Sequence, residues 1–165
     1  MNVFVDEVTG LAELDQFLKT LPDEIQRKML FSSLMTAAKP VMDQAKANVR
    51  HRFGGSVHYT GTLERGIVRG RNRKSGLAAR VDVKLRKVRS STAKTVNGVR
   101  KPYGDDPFYG RFLEMGTSKM AAEPWLKPAG LARQNDAGRA LNKALSKQVA
   151  RWCKANGVPF RPGVA

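Results

Sequence analysis

The side chains that could perform chemistry are few and far apart in this 165-residue chain. His51 and His58 are its two histidines, and Cys153 is its one cysteine. A closed zinc site takes four such ligands, usually in closely spaced pairs. The sequence therefore predicts no metal site and no cofactor. A single cysteine also excludes an intrachain disulfide, so we expect Cys153 to act as a small apolar residue in a helix.

Acidic residues are scarce in the part of the chain where a nucleic acid could bind. Between positions 65 and 122 the acids are Asp82, Asp105, Asp106 and Glu114. A nuclease needs clustered carboxylates for metal ions, or a histidine paired with an acid for proton transfer. Glu114 lies between apolar residues, and we expect it to form a structural salt bridge with Arg111 or with an arginine of a neighbouring copy. The sequence predicts no catalytic residue, and we do not expect an enzyme.

A segment in the last third of the chain predicts a rigid elbow. Gly116 permits a backbone turn that other residues resist, and Pro124 and Pro128 each fix φ. The two prolines bracket Trp125 and Leu126, which together form a large apolar anchor. We expect this anchor to enter an apolar groove, either within the chain or on a neighbouring copy. Such an elbow suits assembly better than catalysis.

The residues around the elbow form an ordered signature. Its pieces are Tyr109, Phe112, Glu114-x-Gly116-Thr117-Ser118 and Pro124-Trp125-Leu126-x-Pro128-Ala129. Two earlier pieces agree, namely Thr60-Gly61-x-Leu63 followed by Ile67, and Ala37-Ala38-Lys39-Pro40 before Ala45-Lys46. In this order, from about Gly10 to Val149, the chain resembles a neck and tail-completion family of long-tailed bacteriophages.

The resemblance implies a structural protein of the virion neck, made in the cytoplasm of the bacterial host. It implies a ring at the head–tail interface that joins the tail to the capsid connector and lets genomic DNA pass. The sixfold symmetry of long tails implies a hexamer, and the twelvefold portal leaves a dodecamer open. The implied partners are other copies of the chain, a head-closure or connector protein, and a tail terminator or tail tube protein. The assembly residues would be Tyr109, Phe112, Glu114, Gly116, Thr117, Pro124, Trp125, Leu126 and Pro128.

The net charge of +16 indicates a polyanion or an acidic protein as partner. Between residues 65 and 101 there are thirteen Lys and Arg residues against one acid, Asp82. By contrast, six acids and one base lie between Asp6 and Glu24, a polarity that would suit head-to-tail packing of copies. The predicted basic surface comprises Arg69, Arg71, Arg73, Lys74, Arg86, Lys87, Arg89, Lys94, Arg100 and Lys101. The alternative function is therefore sequence-nonspecific DNA binding through residues 65–101.

The hydrophobic pattern predicts a single α+β domain over residues 1–165, with a small antiparallel sheet packed against two long amphipathic helices. One helix should span Asp23–Arg52, and the other should run from after Pro128 to Gly157. Before the middle of the chain, the pattern also predicts an edge strand at residues 3–10 and a helix at 11–21. Beyond it, the pattern predicts strands at 63–70 and 77–88 joined by an extended basic hairpin, then a basic loop at 86–106. Residues 108–115 should form a short helix or, alternatively, a strand, and the chain should end in a flexible tail at 157–165. No apolar run is long enough to span a membrane.

Overall fold

The computed structural model describes residues 18–19, 21–56, 59–72, 79–87, 94–96, 99–101 and 106–157. These residues form an α+β fold, which confirms the predicted fold class. The elements in chain order are α1 (Asp23–Phe53), α2 (Thr62–Gly66), β1 (Ile67–Arg71), β2 (Val81–Leu85), β3 (Lys94–Val96), β4 (Val99–Lys101), α3 (Gly110–Met115) and α4 (Leu126–Ala155). The predicted edge strand at 3–10 and most of the tail at 157–165 lie outside the described residues, as does the predicted helix at 11–21 apart from Leu18, Lys19 and Leu21.

The first long helix, α1, is fixed by signals at both of its ends. Asp23 and Glu24 occupy its first turn, and a basic cluster, Arg50–Arg52, occupies its last. These charges complement the helix dipole, whose positive end is the N-terminus. The helix continues through Pro40 and ends one residue beyond the predicted boundary, just before Gly54. None of the helices in the described part of the chain is long and apolar enough to cross a membrane.

Both long helices bury a narrow stripe of residues spaced about four apart. In α1 the stripe comprises Met29, Ser33, Ala37, Ala45 and Val49. In α4 it comprises Ala129, Leu145, Val149 and Cys153. Most of these side chains are small, and a spacing of four keeps them on one side of the helix. Cys153 is 1% exposed and is thus the small apolar helix residue that the sequence predicts.

The described residues are divided between two compact units, each with its own core. The first unit comprises Met1–Ala37, Arg71–Val81 and Gly138–Ala165, and the second comprises Ala38–Gly70 and Asp82–Ala137. The first core contains Leu18, Leu21, Met29, Leu145, Val149 and Cys153. The second core contains Ala45, Val49, Leu63, Ile67, Trp125 and Ala129, with Val83 and Leu85 of β2 packed against it. The second unit holds the residues that the sequence predicts for assembly.

The β1–β2 pair differs from the predicted strands at its start. Residues 62–66 form the short helix α2, so β1 begins at Ile67 rather than at Leu63. Gly61 precedes α2 with φ of 68°, a left-handed conformation that favours glycine. Leu63 and Ile67, four residues apart, are both buried in the second core. Spacing of four is a helical period, which is why a strand prediction beginning at Leu63 was wrong.

The predicted basic loop at 86–106 is corrected in its central part. Residues 94–101 contain an antiparallel pair, β3 with β4, in which Lys94 is opposite Lys101 and Val96 is opposite Val99. The sequence between the two strands is Asn-Gly, the strongest short hairpin signal. The Ser, Thr and Gly residues nearby are typical of a loop, and for this reason a loop was predicted here despite the Asn-Gly pair.

The starts of the last two helices also differ from the prediction. Helix α3 begins at Gly110 rather than near residue 108, after a turn in which the Gly110 N–H bonds to the Pro107 carbonyl. Helix α4 begins at Leu126, so Pro128 lies inside its first turn. Proline is tolerated there because the first turn has no carbonyl partner for its missing N–H.

Gly66 and Gly138 provide a matched test of packing in this fold. A Cβ at Gly66 would lie 2.4 Å from Cγ of the buried Pro107, whereas one at Gly138 would meet nothing within 4 Å. We expect Gly66→Ala to lower the free energy of unfolding by about 1–3 kcal/mol through overpacking. Gly138→Ala should raise it by about 0.5–1 kcal/mol through higher helix propensity. Urea denaturation followed by circular dichroism measures both, and equal effects would contradict the close approach of Pro107 to Gly66.

Candidate assembly site

Trp125 is the centre of the second core and not an anchor for a neighbouring copy. Its side chain is 2% exposed, and its indole N–H donates to the Gly110 carbonyl oxygen at 3.0 Å. The Asn48 side-chain amide in turn donates to the Trp125 carbonyl oxygen at 2.9 Å. Leu126 is half-buried and packs against the same core. Of the two grooves left open by the sequence, the structure places this anchor in the one within the chain.

The carboxylate of Glu114 caps the N-terminus of α4. One oxygen accepts the backbone N–H groups of Trp125 at 2.7 Å and Leu126 at 2.8 Å, and the other accepts the N–H of Lys127 at 2.9 Å. Pro128 has no N–H, so this single side chain satisfies the free donors of the first turn. The negative charge also lies at the positive end of the helix dipole.

The predicted salt bridge between Glu114 and Arg111 was therefore wrong. The partners of Glu114 within the chain are backbone groups 11 to 13 residues further along. A pattern that places an acid between apolar neighbours indicates only that a partner is needed. Which partner it finds depends on the path of the backbone between residues 116 and 124.

That path is set by Gly116 and the turn after it. Gly116 has φ of 73°, and a Cβ there would lie 2.9 Å from the Ala122 backbone nitrogen and 3.0 Å from the Met120 carbonyl oxygen. Thr117 and Met120 exchange backbone hydrogen bonds, and the Thr117 hydroxyl accepts the Lys119 N–H at 3.3 Å. The chain therefore reverses directly after α3. The turn predicted at Gly116 is confirmed, and glycine is required there both for φ and for space.

An exposed apolar row, the Phe112 stripe, lies on helix α3 and the turn before it and is formed by Phe108, Phe112 and Met115. These side chains are 49%, 47% and 68% exposed. The two phenylalanine rings meet edge to face with centroids 6.3 Å apart. The positions are spaced four and three apart, which places them on one side of a helical turn. Large aromatic side chains exposed together in this way are typical of protein interfaces.

The opposite side of α3 lines an apolar pocket. Tyr109 and Leu113 contribute to it from α3, and the pocket has a volume of about 200 Å³. Its other lining residues are Val49, Phe53, Ser56, Tyr59, Thr60 and Leu63. Tyr109 is half-buried here, so the structure separates it from Phe112, although the sequence grouped the two.

A polar cluster that was not predicted from the sequence stands beside this pocket. Glu64 accepts hydrogen bonds from the Arg50 guanidinium and, at 2.5 Å, from the Tyr59 hydroxyl. The hydrogen bond from Arg50, followed by that from Tyr59, holds the pKa of Glu64 below its ordinary value. Tyr59 and Arg50 each donate their own hydrogen bond to Glu64. The bond from Tyr59 raises the pKa of Tyr59, and the bond from Arg50 raises the pKa of Arg50. Glu64 directly follows the Thr-Gly-x-Leu motif, and this position beside a motif is the sequence signal that could have pointed to a role for Glu64.

The predicted basic surface is only partly described. Arg71, Arg86 and Lys87 are exposed, and Arg69 is half-buried. The Arg71 guanidinium carbon lies 4.9 Å from the centroid of the Phe31 ring, a cation–π contact in the first unit. Lys94, Arg100 and Lys101 lie on the β3–β4 pair, whereas Arg73, Lys74 and Arg89 lie outside the described residues. Within the described part of the chain, no group of three His, Cys, Asp or Glu side chains could hold a metal ion.

A family comparison matches the region that contains α1 and α3. The family described as "Bacteriophage HK97-gp10, putative tail-component" matches residues 12–116, more than half of the 165-residue chain. The match includes Glu64, Phe112 and Glu114 and ends at Gly116, before the segment that carries Trp125. No curated protein and no solved structure matches the chain.

The Glu114 cap can be tested against a surface carboxylate nearby in sequence. Glu114→Ala leaves the first-turn donors of α4 without partners, and we expect a loss of about 2–3 kcal/mol in the free energy of unfolding. Glu123 pairs with Arg52 at 3.4 Å, with both side chains about half exposed, so Glu123→Ala should cost at most about 1 kcal/mol. Urea denaturation measures both variants, and equal losses would show that the cap adds nothing.

The Glu64 cluster predicts a pH-dependent contribution to stability. A carboxylate whose folded-state pKa is lowered contributes stability above its unfolded pKa, and loses it as the pH falls through the folded-state pKa. We expect Glu64→Gln to lower the Tm at pH 7, and the difference from the wild type to shrink below about pH 4. Tyr59→Phe removes one of the two donors and should show a smaller effect of the same sign. A Tm difference that does not change with pH would contradict this account.

Proposed function

Because the chain belongs to the HK97-gp10-like family of bacteriophage tail components, we propose that its copies form a closed ring at the head–tail interface. The ring completes the neck, joins the tail to the capsid connector and leaves an axial opening for genomic DNA. Six copies match the symmetry of a long tail, and twelve copies match the portal. The ring contacts a head-closure or connector protein on one side and a tail terminator or tail tube protein on the other.

The observation that carries this proposal is the exposure of the Phe112 stripe on a firmly held helix. Both ends of α3 are held by the second unit, since the Gly110 carbonyl accepts the Trp125 indole N–H and Glu114 binds the start of α4. The stripe therefore has little freedom to lose on binding, which favours affinity. Contiguous apolar patches on a protein surface often mark sites of interaction with other proteins.

The partner we propose for the stripe is the pocket of the next copy. A pocket of about 200 Å³ exceeds the cavity of roughly 150 Å³ that accommodates benzene in a protein core, so it can take one phenylalanine ring. The stripe and the pocket lie on two sides of the same short helix. Because they are different surfaces, the contact between copies is head-to-tail, the type of contact that closes rings.

Acidic faces of the adjacent rings are the proposed partners of the exposed basic residues Arg71, Arg86 and Lys87. A chain of net charge +16 repels its own copies, so an assembled ring gains from neighbours of opposite sign. This electrostatic contribution affects mainly the rate and the specificity of docking.

Phe112→Ser tests the ring contact in the virus. Burying one phenylalanine contributes about 1.5–3 kcal/mol, so the variant should weaken each contact roughly 10- to 100-fold. In a phage that carries this variant, we expect unjoined heads and tails, and a neck without this ring in cryo-electron micrographs. The control is Leu131→Ser, because Leu131 is 64% exposed but lies outside the stripe. Normal joining by a folded Phe112→Ser protein would refute the proposed contact.

Blocking the pocket gives a second and stricter test of the same contact. Thr60 is exposed at the pocket, and Thr60→Trp should fill the pocket while leaving the stripe intact. Each variant alone then lacks one side of the head-to-tail contact. Mixed together, they should form one-to-one pairs but no rings, which cross-linking followed by mass spectrometry detects. Rings in the mixture would contradict a head-to-tail contact.

A further inference from the structure

Helix α4 carries a continuous row of basic residues that lies outside the predicted basic segment. The row is spaced four, four, four and three, and all of its members are exposed: Arg139, Lys143, Lys147, Arg151 and Lys154. No acid follows Asp136 anywhere in the sequence. The spacing of about one turn places the row on one side of the helix, and it extends over about 22 Å.

This row conflicts with the stability of the helix that carries it. Like charges one turn apart repel each other and destabilise a helix. Among the described residues, Lys143, Lys147, Arg151 and Lys154 have no acidic partner within salt-bridge distance. The helix cannot turn the row away from solvent, because Leu145, Val149 and Cys153 must remain in the first core. A local conflict of this kind is expected at a functional surface.

A neighbouring residue of α1 extends the basic surface sideways. Lys28 and Arg151 line a shared pocket of about 380 Å³, together with the Gln148 amide and the partly buried Trp152. The row and this pocket lie in the same unit, so one compact body carries both. The surface is therefore wider than a single line of charges.

We propose that this surface, the α4 basic row with Lys28, binds the phosphate backbone of double-stranded DNA without sequence preference. Each DNA strand carries one phosphate per roughly 3.4 Å of helix axis, so a row about 22 Å long faces several phosphates. Protein surfaces usually intersperse charges of both signs, whereas a nucleic acid offers negative charge alone, as the row offers positive charge alone. Lysine and arginine contacts with phosphates position a protein but do not read bases.

The proposal does not depend on the ring, because the row belongs to each folded chain. It differs from DNA binding through residues 65–101, since it assigns the contact to a regular helix in the C-terminal third. In an assembled neck, weak and salt-sensitive contacts of this kind would guide DNA without stopping it.

The test uses the purified full-length chain and two 30-base-pair duplexes of unrelated sequence, with binding followed by fluorescence anisotropy from 50 to 300 mM salt. We expect equal affinity for the two duplexes and a linear fall of log K with log salt concentration. The triple variant Lys143→Gln, Lys147→Gln, Arg151→Gln should bind with a slope shallower by about 0.9 for each lost contact.

The matched control removes the same charge from the second unit. Lys39, Lys119 and Lys127 are exposed, and their triple change to Gln should leave the salt slope unchanged. If the two triple variants lost DNA affinity and salt slope equally, net charge alone would explain the binding, and the proposal would be overturned. Absence of DNA binding at 50 mM salt would also overturn the proposal. It would favour an acidic protein as the partner of the basic row. Cross-linking of the same variants reports ring formation separately, so the two proposals fail independently.

Discussion

The carboxylate of Glu114 makes the contact on which the rest of the candidate assembly site depends. It binds three consecutive backbone N–H groups at the start of α4, from a helix that ended eleven residues before that start. A buried or half-buried helix end needs such partners, because its first N–H groups have none within the helix. The same hydrogen bonds hold Trp125 at the point where its ring enters the second core. The cap of α4 and the packing of the second core thus depend on the same hydrogen bonds from Glu114.

The signature around the elbow is divided by this arrangement into two kinds of residue with different roles. Gly116, Glu114 and Trp125 direct the backbone and fill the core, so they determine where α3 stands. Phe112 does none of this, and its ring remains half exposed. In the proposed assembly, most members of the signature therefore act indirectly. Direct contact is proposed for Phe112, whose ring the others hold exposed to water.

The strong positive charge is distributed over several surfaces of different character. The segment 65–101 combines basic residues with short strands and connecting segments, whereas the row on α4 is regular and free of acids. A regular row presents its charges at fixed intervals, and a regular polyanion can meet several of them at once. Lysine and arginine stems can also cover apolar surface, which helps long basic side chains to be tolerated on a helix that packs through small residues.

The long helices, the fold class and the position of the Gly116 turn follow from the order of the amino acids alone. The directions of the Glu114, Trp125 and Glu64 side chains depend instead on how the elements pack together. The first group follows from local signals, namely an apolar period near four, acids and bases at the two ends of α1, and a glycine where the chain must take a positive φ. Local signals also existed for α2 and for the Asn-Gly hairpin, but competing strand and loop patterns at the same positions concealed them. Each residue of the second group has its partner on another element, so its pairing depends on how the chain reverses between the two. A sequence pattern records that a carboxylate among apolar residues needs a donor, but not which donor comes within about 3 Å.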